Sequence, residues 1–539
     1  MKKHFFLLSL LMFLIFYFSE ISLSQPRQHI SLDKGWKFHL GSASSAERDF
    51  GYGLVSIYSK NGKSEGTAIY PGFDDSHWRN VDLPHDWAIE LPFVNHPSSD
   101  VMSHGYKPIG GYFPENSIGW YRRSFDIPSS DSGFRFSLTF DGVYRDAKFW
   151  LNGYYLGNNE SGYSGIEYDI TDFVWFDKPN VLVVRVDATQ YEGWFYEGAG
   201  IYRHVWLNRY PEIHIPSNGV FAYSIPKGKS SIIHLEITII NSSLKDNIVG
   251  VETQIKSRDG RVMARTLSKS ISISALEESI INQDIKIDHP HLWNLDDPYL
   301  YRIETSIVSD NKIIDRTSMP FGIRSIKWDA DKGFFLNDRP IKLLGVNMHQ
   351  GHAGLGVALP DGMQYYRINR LKQMGANAYR CSHHPPTPEL LDACDSLGML
   401  VINENRLLNT SPEYLEQFSK MVIRDRNHPS VILWSIGNEE GYIQTNGNGK
   451  RMAITLIEKL KRLDPSRKVT YAADVSNVFK GINEVIPIRG FNYREEAMED
   501  YHKDHPHQPI IGTEMGSTVT TRGIYSYDSI NCYLPDLDL

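Results

Sequence analysis

The most constraining feature of the sequence is a short apolar segment that ends abruptly in polar residues. It reads Val431-Ile432-Leu433-Trp434-Ser435-Ile436-Gly437-Asn438-Glu439. The segment is too short for a typical helix, and its apolar residues do not alternate with polar ones. It therefore predicts a parallel strand that is buried on both faces, with an amide and a carboxylate at its carboxyl end.

Strand and helix patterns alternate around this segment from about residue 323 onward. The predicted strands are Ile341–His349, Ala378–His383, Met399–Arg406, Val431–Glu439, Lys468–Val475, Ile488–Tyr493 and Pro509–Met515. The predicted helices are Tyr365–Met374, Pro388–Leu397, Glu413–Arg424 and Met452–Leu463. This alternation predicts a TIM (β/α)8-type barrel over residues 323–539. Only seven strands are found and the residues after Glu514 resemble a loop, so we expect a barrel that stops before its eighth strand.

The preceding sequence predicts two β-sandwiches, because short strands and turns follow one another without a useful helical segment. Residues 25–210 are expected to form a jelly-roll domain, in which Asn152-Gly153 lies between apolar strands as a hairpin turn. Residues 211–322 are expected to form an immunoglobulin-like sandwich. Within it, His234–Ile240 alternates, with three aliphatic side chains on one face. This domain has no cluster of reactive groups, which favours a spacer role.

The N-terminus has the pattern of an export signal. Lys2 and Lys3 precede an apolar run, and a small-residue motif ends near Ser24, so residues 1–24 predict a cleaved signal peptide and a periplasmic or secreted protein. A membrane anchor is the alternative, but the run is short for spanning a bilayer, and no membrane association is expected after cleavage. The net charge of −8 argues against a nucleic-acid partner. Three cysteines do not make a disulfide framework and are interpreted as free thiols.

A second apolar strand ends on a carboxylate, at Glu514, as the first does at Glu439. Glycoside hydrolysis most often uses such a pair, because one carboxylate attacks the sugar while the other exchanges a proton. Glu440 gives Glu439 acidic surroundings that favour its protonated form, and Arg380 could keep Glu514 ionised. Two ordinary salt-bridge residues are the alternative, and the paired placement favours catalysis.

Other polar residues fall at the same predicted rim. His349 ends the first barrel strand, while His383 and His384 follow the second. Zinc ligation by His349, His352 and His383 is the rival interpretation, but the spacing matches no zinc pattern, so hydrogen bonds to sugar hydroxyls are preferred. Tyr493 ends the sixth strand and could donate to the nucleophile, although a packed core tyrosine is nearly as good an interpretation.

With these motifs the chain resembles glycoside hydrolase family 2, particularly its β-galactosidases, over everything after residue 24. Trp434–Glu439 resembles the family's acid/base motif and Ile510–Glu514 its nucleophile strand. Gly345–His349 and Tyr379–His383 resemble segments that place substrate-contacting residues. The first domain carries similar landmarks at Leu83-Pro84-His85-Asp86-Trp87, Gly119-Trp120-Tyr121 and Gly200-Ile201-Tyr202-Arg203.

The resemblance implies catalytic roles for Glu439 and Glu514. It implies substrate contacts for Asn438, which would hold the sugar 2-hydroxyl, and for His349, Arg380 and His383. It also implies that Asn116 reaches from the first domain into the site. Metal-dependent members carry an acidic residue and a histidine where this chain has Leu408 and Thr410, so neither a metal nor another cofactor is expected.

We therefore expect a retaining exo-glycosidase that acts on a glycoside or oligosaccharide with a terminal β-galactoside. A β-glucuronidase is the rival within the family, although its members recognise the sugar carboxylate with an Asn and a Lys in sequence after the nucleophile that is absent here. A non-catalytic carbohydrate-binding protein with an incomplete barrel is the rival from another class. Linkage preference and oligomeric state are left open by the sequence.

Overall fold

The computed structural model describes residues 27–94, 107–191, 195–475 and 479–516, together with residues 526 and 530. The predicted signal peptide and Cys532 lie outside these residues. Among the helices of the described part, none is long and apolar enough to cross a membrane.

The first domain is a sandwich of two main antiparallel sheets, as predicted for a jelly roll. Its strands are β1 (Gln28–Ser31), β2 (Trp36–Leu40), β3 (Arg79–Val81), β4 (Ile118–Phe125), β5 (Arg135–Phe140), β6 (Val143–Tyr144), β7 (Ala147–Leu151), β8 (Tyr154–Asn159), β9 (Ile166–Asp169), β10 (Asn180–Asp187), β11 (Gly200–Ile201) and β12 (Val205–Tyr210). One sheet has the order β3-β2-β4-β10-β7-β8 and the other β1-β12-β5-β9. Large side chains such as Trp36, Trp87 and Tyr121 fill the core between them.

The Asn-Gly pair forms the hairpin turn that the sequence predicts. It joins β7 to β8, which pair antiparallel. Asn152 and Gly153 have φ values of 54° and 85°. A two-residue hairpin turn of this kind needs positive φ at both positions, and these two residue types tolerate it best.

The second domain is a smaller antiparallel sandwich, as predicted. Its strands are β13 (Ile213–His214), β14 (Val220–Lys227), β15 (Ser230–Asn241), β16 (Asn247–Lys256), β17 (Val262–Leu267), β18 (Ile271–Ile273), β19 (Glu278–Asp288), β20 (Tyr301–Ser309) and β21 (Lys312–Phe321). Along β15 buried and partly exposed residues alternate without interruption. Leu235, Ile237 and Ile239 all lie on the buried face, as their spacing predicts.

A three-stranded meander leads into the third domain, a parallel barrel with outer helices. The meander comprises β22 (Ile326–Asp329), β23 (Gly333–Leu336) and β24 (Arg339–Pro340). The barrel strands are β25 (Gly345–Met348), β26 (Ala378–Cys381), β27 (Leu400–Glu404), β28 (Val431–Asn438), β29 (Lys468–Ala473), β30 (Ile488–Asn492) and β31 (Ile510–Glu514). The helices are α1 (Asp361–Gln373), α2 (Pro388–Leu397), α3 (Pro412–Asp425), α4 (Gly447–Leu463) and α5 (Met498–Asp504). All eight residues of β28 are buried, which confirms the strand predicted there.

The seven barrel strands pair in sequence order from β25 to β31. An eighth parallel strand is not present among the described residues. A cavity of about 780 Å³ therefore lies along the seam between the first and last strands, lined by Leu343–Asn347 on one side and Ile511–Gly516 on the other. Arg380 and Glu514 also line this seam cavity.

Both sandwiches dock on the barrel through buried polar contacts. Arg324, just after the second sandwich, donates to the carbonyls of Pro429 and Val431 at 2.8 Å each. Arg203 of the first sandwich donates to the carbonyl of Pro385 at 2.9 Å. The ring of Tyr163 stacks on His384, with 4.0 Å between centroids. The contacts of Arg203 and Tyr163 hold the first domain against the barrel, next to the carboxyl end of β26.

Candidate active site

The carboxyl ends of the barrel strands bring most of the predicted site residues together. β31 ends at Glu514, and Glu439 directly follows β28. The strand register pairs Glu514 with Asn492, the last residue of β30. Because parallel strands all finish at the same rim, their terminal polar side chains converge on one site.

A single amide nitrogen connects the two glutamates. Asn492 Nδ2 donates to Glu439 Oε1 at 2.7 Å and lies 3.4 Å from Glu514 Oε2. These two carboxylate oxygens are therefore at most about 6.1 Å apart, the sum of the two distances. Retaining glycosidases hold their carboxyl groups about 5–5.5 Å apart, and inverting ones about 6.5–9.5 Å. The bound favours the closer of these two arrangements.

Glu514 is held by donors on both of its oxygens. Tyr493 Oη donates to Oε1 at 2.6 Å, and Arg380 Nη1 donates to Oε2 at 3.1 Å. Donors of this kind stabilise the ionised form of a carboxyl group. Tyr493 and Arg380, which the sequence placed beside Glu514, are thus in contact with it.

Glu439 lies in surroundings of the opposite kind. It has a φ of 53°, a left-handed conformation directly after β28. Burial and the charge of Glu514 raise the pKa of Glu439, although the hydrogen bond from Asn492 opposes them. The prediction that Glu440 supplies the acidic surroundings was wrong, because the Glu440 carboxylate instead accepts from Tyr471 Oη at 2.6 Å and from the Leu408 amide at 2.9 Å. The charges that raise the pKa of Glu439 are those of Glu514 and Asp474, which lie at the ends of other strands.

Arg380, in β26, organises the rim around it. Its Nε and Nη2 donate to Glu404 at 2.9 and 2.5 Å, and Nη2 also donates to Asn438 Oδ1 at 2.8 Å. Nη1 donates to the Thr513 carbonyl at 3.3 Å as well as to Glu514. An arginine has five N–H groups, so every donor of this side chain is engaged by the protein.

Glu404 is the fully buried partner of Arg380 and was not singled out from the sequence. It also accepts from Ser435 Oγ at 2.8 Å and from His383 Nδ1 at 2.9 Å. Burial alone would raise the pKa of Glu404, but the charge of Arg380 and the bond from His383 hold it below its usual value. Its position could have identified it, because Glu404 is the last residue of the apolar strand β27 and other site residues lie at the ends of their own strands.

His349 and His383 lie side by side, with 5.5 Å between ring centroids. His349 Nδ1 lies 3.0 Å from the Ser382 carbonyl, which can only accept, so Nδ1 carries the proton. Burial lowers the pKa of His349, so its ring is neutral near pH 7 and Nε2 carries a lone pair. Phe195, from the first domain, stacks on this ring with 4.8 Å between centroids. Sequence reasoning missed Phe195 because it is distant in the chain.

Asn438 and Asn116 have different outcomes. Asn438 lies within the site, where Oδ1 accepts from Arg380 and from Asn492 at 2.9 Å. Asn116 ends a short turn in the first domain, and its carbonyl accepts from Trp87 Nε1 at 2.9 Å. Within the described residues no hydrogen bond connects the Asn116 side chain to the barrel rim, so its predicted reach into the site stays a prediction.

The donor atoms at the rim do not favour a metal. The side chain of Leu408 is buried in the barrel's apolar cluster and offers no ligand. The Nδ1 atoms of His349 and His383 are engaged by the Ser382 carbonyl and Glu404. In the described part of the chain, these two histidines and His352 do not form a group of converging ligand atoms.

Comparison with known proteins places the three domains in one family. The glycosyl hydrolases family 2 sugar binding domain matches residues 72–211. A second model of that family matches 213–324, and its TIM barrel domain matches 329–412 and 408–531.

The chain is similar to a β-galactosidase, BoGH2A, from Bacteroides ovatus, with 34% identity over 96% of this chain and 62% of that protein. It is 31% identical to a putative β-glucuronidase from Formosa agariphila, over 84% of this chain and 42% of that protein. It thus spans less than two thirds of either relative.

A crystal structure of a glycosyl hydrolase family 2 member from Bacteroides cellulosilyticus has a TM-score of 0.79 and 30% identity. The similarity covers 92% of this chain and 62% of that one. The sandwich, sandwich and barrel order, the residues at the strand ends and the three matched models agree, and the chain belongs to glycosyl hydrolase family 2.

Proposed function

We propose that the protein is a retaining, exo-acting glycoside hydrolase that cleaves terminal β-D-galactosides by double displacement. Glu514 is the nucleophile and Glu439 the general acid/base. The proposal rests on the position of Asn492 Nδ2, within 2.7 and 3.4 Å of the two carboxylates. That spacing suits a covalent intermediate and leaves too little room for the water that an inverting enzyme places between them.

The two environments assign the two roles. Glu514, which accepts hydrogen bonds from Tyr493 and Arg380, attacks the anomeric carbon. Glu439, whose pKa is raised, gives its proton to the departing oxygen. It then removes a proton from the water that releases the sugar from Glu514.

The polar rim supplies the sugar contacts. Asn438 Oδ1 is engaged by the protein, so its NH₂ group is the part that donates to the 2-hydroxyl. His349 Nε2 accepts from a sugar hydroxyl, and His383 and Asn116 contact the substrate as the family resemblance implies. Arg380 has no N–H left for a sugar, so we assign it to positioning Glu404, Asn438 and Glu514.

Substitution of each glutamate, assayed with two leaving groups, tests the assignment. Glu514→Gln should lower kcat/KM by at least about a thousandfold for every substrate. Glu439→Gln should lower it by about 10²–10⁴-fold for an alkyl galactoside, but far less for a dinitrophenyl galactoside, whose leaving group needs no proton. Glu440→Gln, at the adjacent glutamate whose carboxylate accepts from Tyr471 and Leu408, is the matched control and should stay close to wild type. Full activity in Glu514→Gln would contradict the proposal.

The choice of sugar is tested by a panel of nitrophenyl glycosides. The β-galactosidase of Bacteroides ovatus supports galactose, whereas the putative β-glucuronidase of Formosa agariphila supports the rival. A preference for the β-glucuronide by about tenfold or more in kcat/KM, which corresponds to about 1.4 kcal/mol, would change the assigned sugar specificity. The proposed mechanism would be unaffected. Saturable galactose binding without turnover would favour a carbohydrate-binding protein instead.

We also propose that residues 1–24 direct export to the periplasm or the medium. The charged start, the apolar run and the small residues before Gln25 support this. N-terminal sequencing of the mature protein should begin near Gln25, and retention of Met1 in the cytoplasm would contradict it.

A further inference from the structure

Phe195 of the first domain packs against the histidines at the rim of the barrel. Phe195 is only 3% exposed, and its ring covers His349, with 4.8 Å between centroids and 23° between planes. The same ring lies 6.3 Å from His383 and 5.8 Å from His384. A side chain of the sandwich therefore forms one wall of the histidine cluster that the barrel strands present.

A buried carboxylate fixes the residues that follow Phe195. Asp86 Oδ1 accepts from the amides of Ala88 and Ala199 at 3.1 and 2.9 Å. Its Oδ2 accepts from Tyr196 Oη at 2.8 Å and from the Val357 amide at 3.1 Å. Val357 belongs to the barrel, in the segment between β25 and α1, whereas the other donors belong to the first domain. One carboxylate thus joins the two domains beside the site.

The backbone is shaped to let both segments approach this carboxylate. Gly198 and Gly356 have φ values of 72° and 66°, which L side chains rarely adopt. A Cβ at Gly198 would clash with Asp86 and Val357, and a Cβ at Gly356 would clash with Asp86. Two glycines on different domains therefore allow the backbone to approach the same carboxylate closely. We call this contact between the first domain and the barrel at Asp86 the joint, and the two glycines show that it is specific.

We infer that Asp86 is a positioning residue of the sugar site, which locks the first domain to the barrel and thereby presses Phe195 against His349. This inference rests on the proposed function. The Phe195 ring keeps water from one face of His349, whose Nδ1–H already donates to the Ser382 carbonyl. The orientation of Nε2 toward a sugar hydroxyl then depends on how firmly the first domain is held.

Asp86→Asn is the sharpest test because it keeps the shape and removes acceptors. A carboxylate offers two accepting oxygens, whereas an amide replaces one of them with an NH₂ group that can only donate. In either orientation, two of the four donors around residue 86 would face that NH₂ group. We expect KM for the nitrophenyl galactoside to rise by about tenfold or more, with a smaller change in kcat, since a displaced contact weakens sugar binding.

A second readout is independent of turnover. Histidine Cε1–H NMR resonances, with His349 assigned by its loss in His349→Gln, report the pKa of that ring. Asp86→Asn should raise the pKa of His349 toward its ordinary value, because a loosened Phe195 admits water. Phe195→Ala, which leaves the contacts of Asp86 intact, should also raise the pKa of His349. This variant provides the test if Asp86→Asn does not fold.

Asp49→Asn is the matched control. Asp49 is a buried carboxylate of the same sandwich that accepts from Trp120 at 2.7 Å and from Arg185 at 3.0 Å. Within the described part of the chain it makes no hydrogen bond to the barrel. It should lower stability but leave KM and the His349 pKa unchanged. An unchanged KM and His349 pKa in folded Asp86→Asn and Phe195→Ala would overturn the inference. An inactive wild type would instead count against the proposed function, and the NMR titration would still decide this inference.

Discussion

At the scale of single residues, the site separates two chemically identical side chains by their neighbours. Among the described residues, Glu514 accepts hydrogen bonds from Tyr493 and Arg380, whereas Glu439 accepts one from Asn492 and faces the charge of Glu514. The charges that raise the pKa of Glu439 therefore belong to residues at the ends of other strands. The sequence immediately around Glu439 does not contain these residues, and this is why the role assigned to Glu440 was wrong.

The raised pKa of Glu439 has a consequence for stability. At low pH Glu439 is protonated in both the folded and the unfolded state, so its ionisation does not affect the free energy of unfolding. As pH rises, the unfolded state releases the proton first, because burial and Glu514 raise the pKa only in the folded state. Stability is therefore lost between the ordinary carboxyl pKa and the raised one.

We expect Glu439→Gln to unfold at higher denaturant concentration than wild type at about pH 7, and at the same concentration at about pH 3, where both forms are neutral. Urea titrations at the two pH values measure this. Glu458→Gln, on the exposed face of α4, should show no such difference. A Glu439→Gln protein that is less stable than wild type at neutral pH would contradict the assigned pKa direction.

The same residue scale shows what sequence could and could not predict about the site. Glu439, Glu514, Asn438 and Arg380 were found because each lies at or next to the end of an apolar strand. Glu404 and Asn492 carry the same signal and were missed only because nothing else drew attention to them. Phe195 carries no such signal, because its place beside His349 depends on how two domains dock.

At the scale of elements, the sequence predicted all seven barrel strands and four of the five helices, and it missed α5. It also misplaced the ends of some of these elements. The helix predicted to start at Met452 starts at Gly447, because the Asn446 side chain accepts from the amides of residues 448 and 449. The helix predicted from Tyr365 starts at Asp361, after Pro360. Two glycines near the start of α4 hid the first boundary, since glycine disfavours a helix interior. The first strand, predicted from Ile341, begins only where Gly345 pairs with Ala378.

The carboxyl end of α2 connects the barrel to the second domain. Gly398 follows α2 with a φ of 75°. A Cβ there would clash with the backbone carbonyl of Leu295, in the connection between β19 and β20 of the second sandwich. Gly398→Ala should therefore lose stability from both the left-handed conformation and the clash.

Gly260→Ala is the matched control, since Gly260 has a φ of 86° and nothing within 4 Å of a Cβ. It should cost about 1–2 kcal/mol from conformation alone. We expect Gly398→Ala to cost about 1–3 kcal/mol more, the range for overpacking. Equal losses in urea unfolding would show that the α2 end and the second domain do not press on each other.

At the scale of the whole molecule, the second sandwich has no cluster of reactive groups among its described residues, but it supports β28, the strand directly before Glu439. Arg324 donates to the Val431 carbonyl, at the start of β28, and Arg467 donates to the same oxygen at 2.7 Å. Loss of the Arg324 head group leaves the Pro429 carbonyl without this donor. The spacer predicted from the sequence therefore has a structural task.

Arg324→Met should lower the free energy of unfolding by about 2 kcal/mol, because a buried carbonyl loses its charged donor while the Val431 carbonyl keeps Arg467. Calorimetry measures this loss, and the barrel should unfold together with the sandwich. Arg302→Met, on an exposed position of β20, should stay within about 0.5 kcal/mol of wild type. An unchanged midpoint in Arg324→Met would mean that the two domains are energetically independent.

The seam cavity between β25 and β31 is lined by both Arg380 and Glu514. Opposite charges attract more strongly as the local dielectric constant falls, so solvent in the seam weakens the attraction between Arg380 and Glu514. Any segment that fills the seam excludes solvent and strengthens that attraction. The packing between the first and last strands therefore affects the electric field at the Glu514 carboxylate.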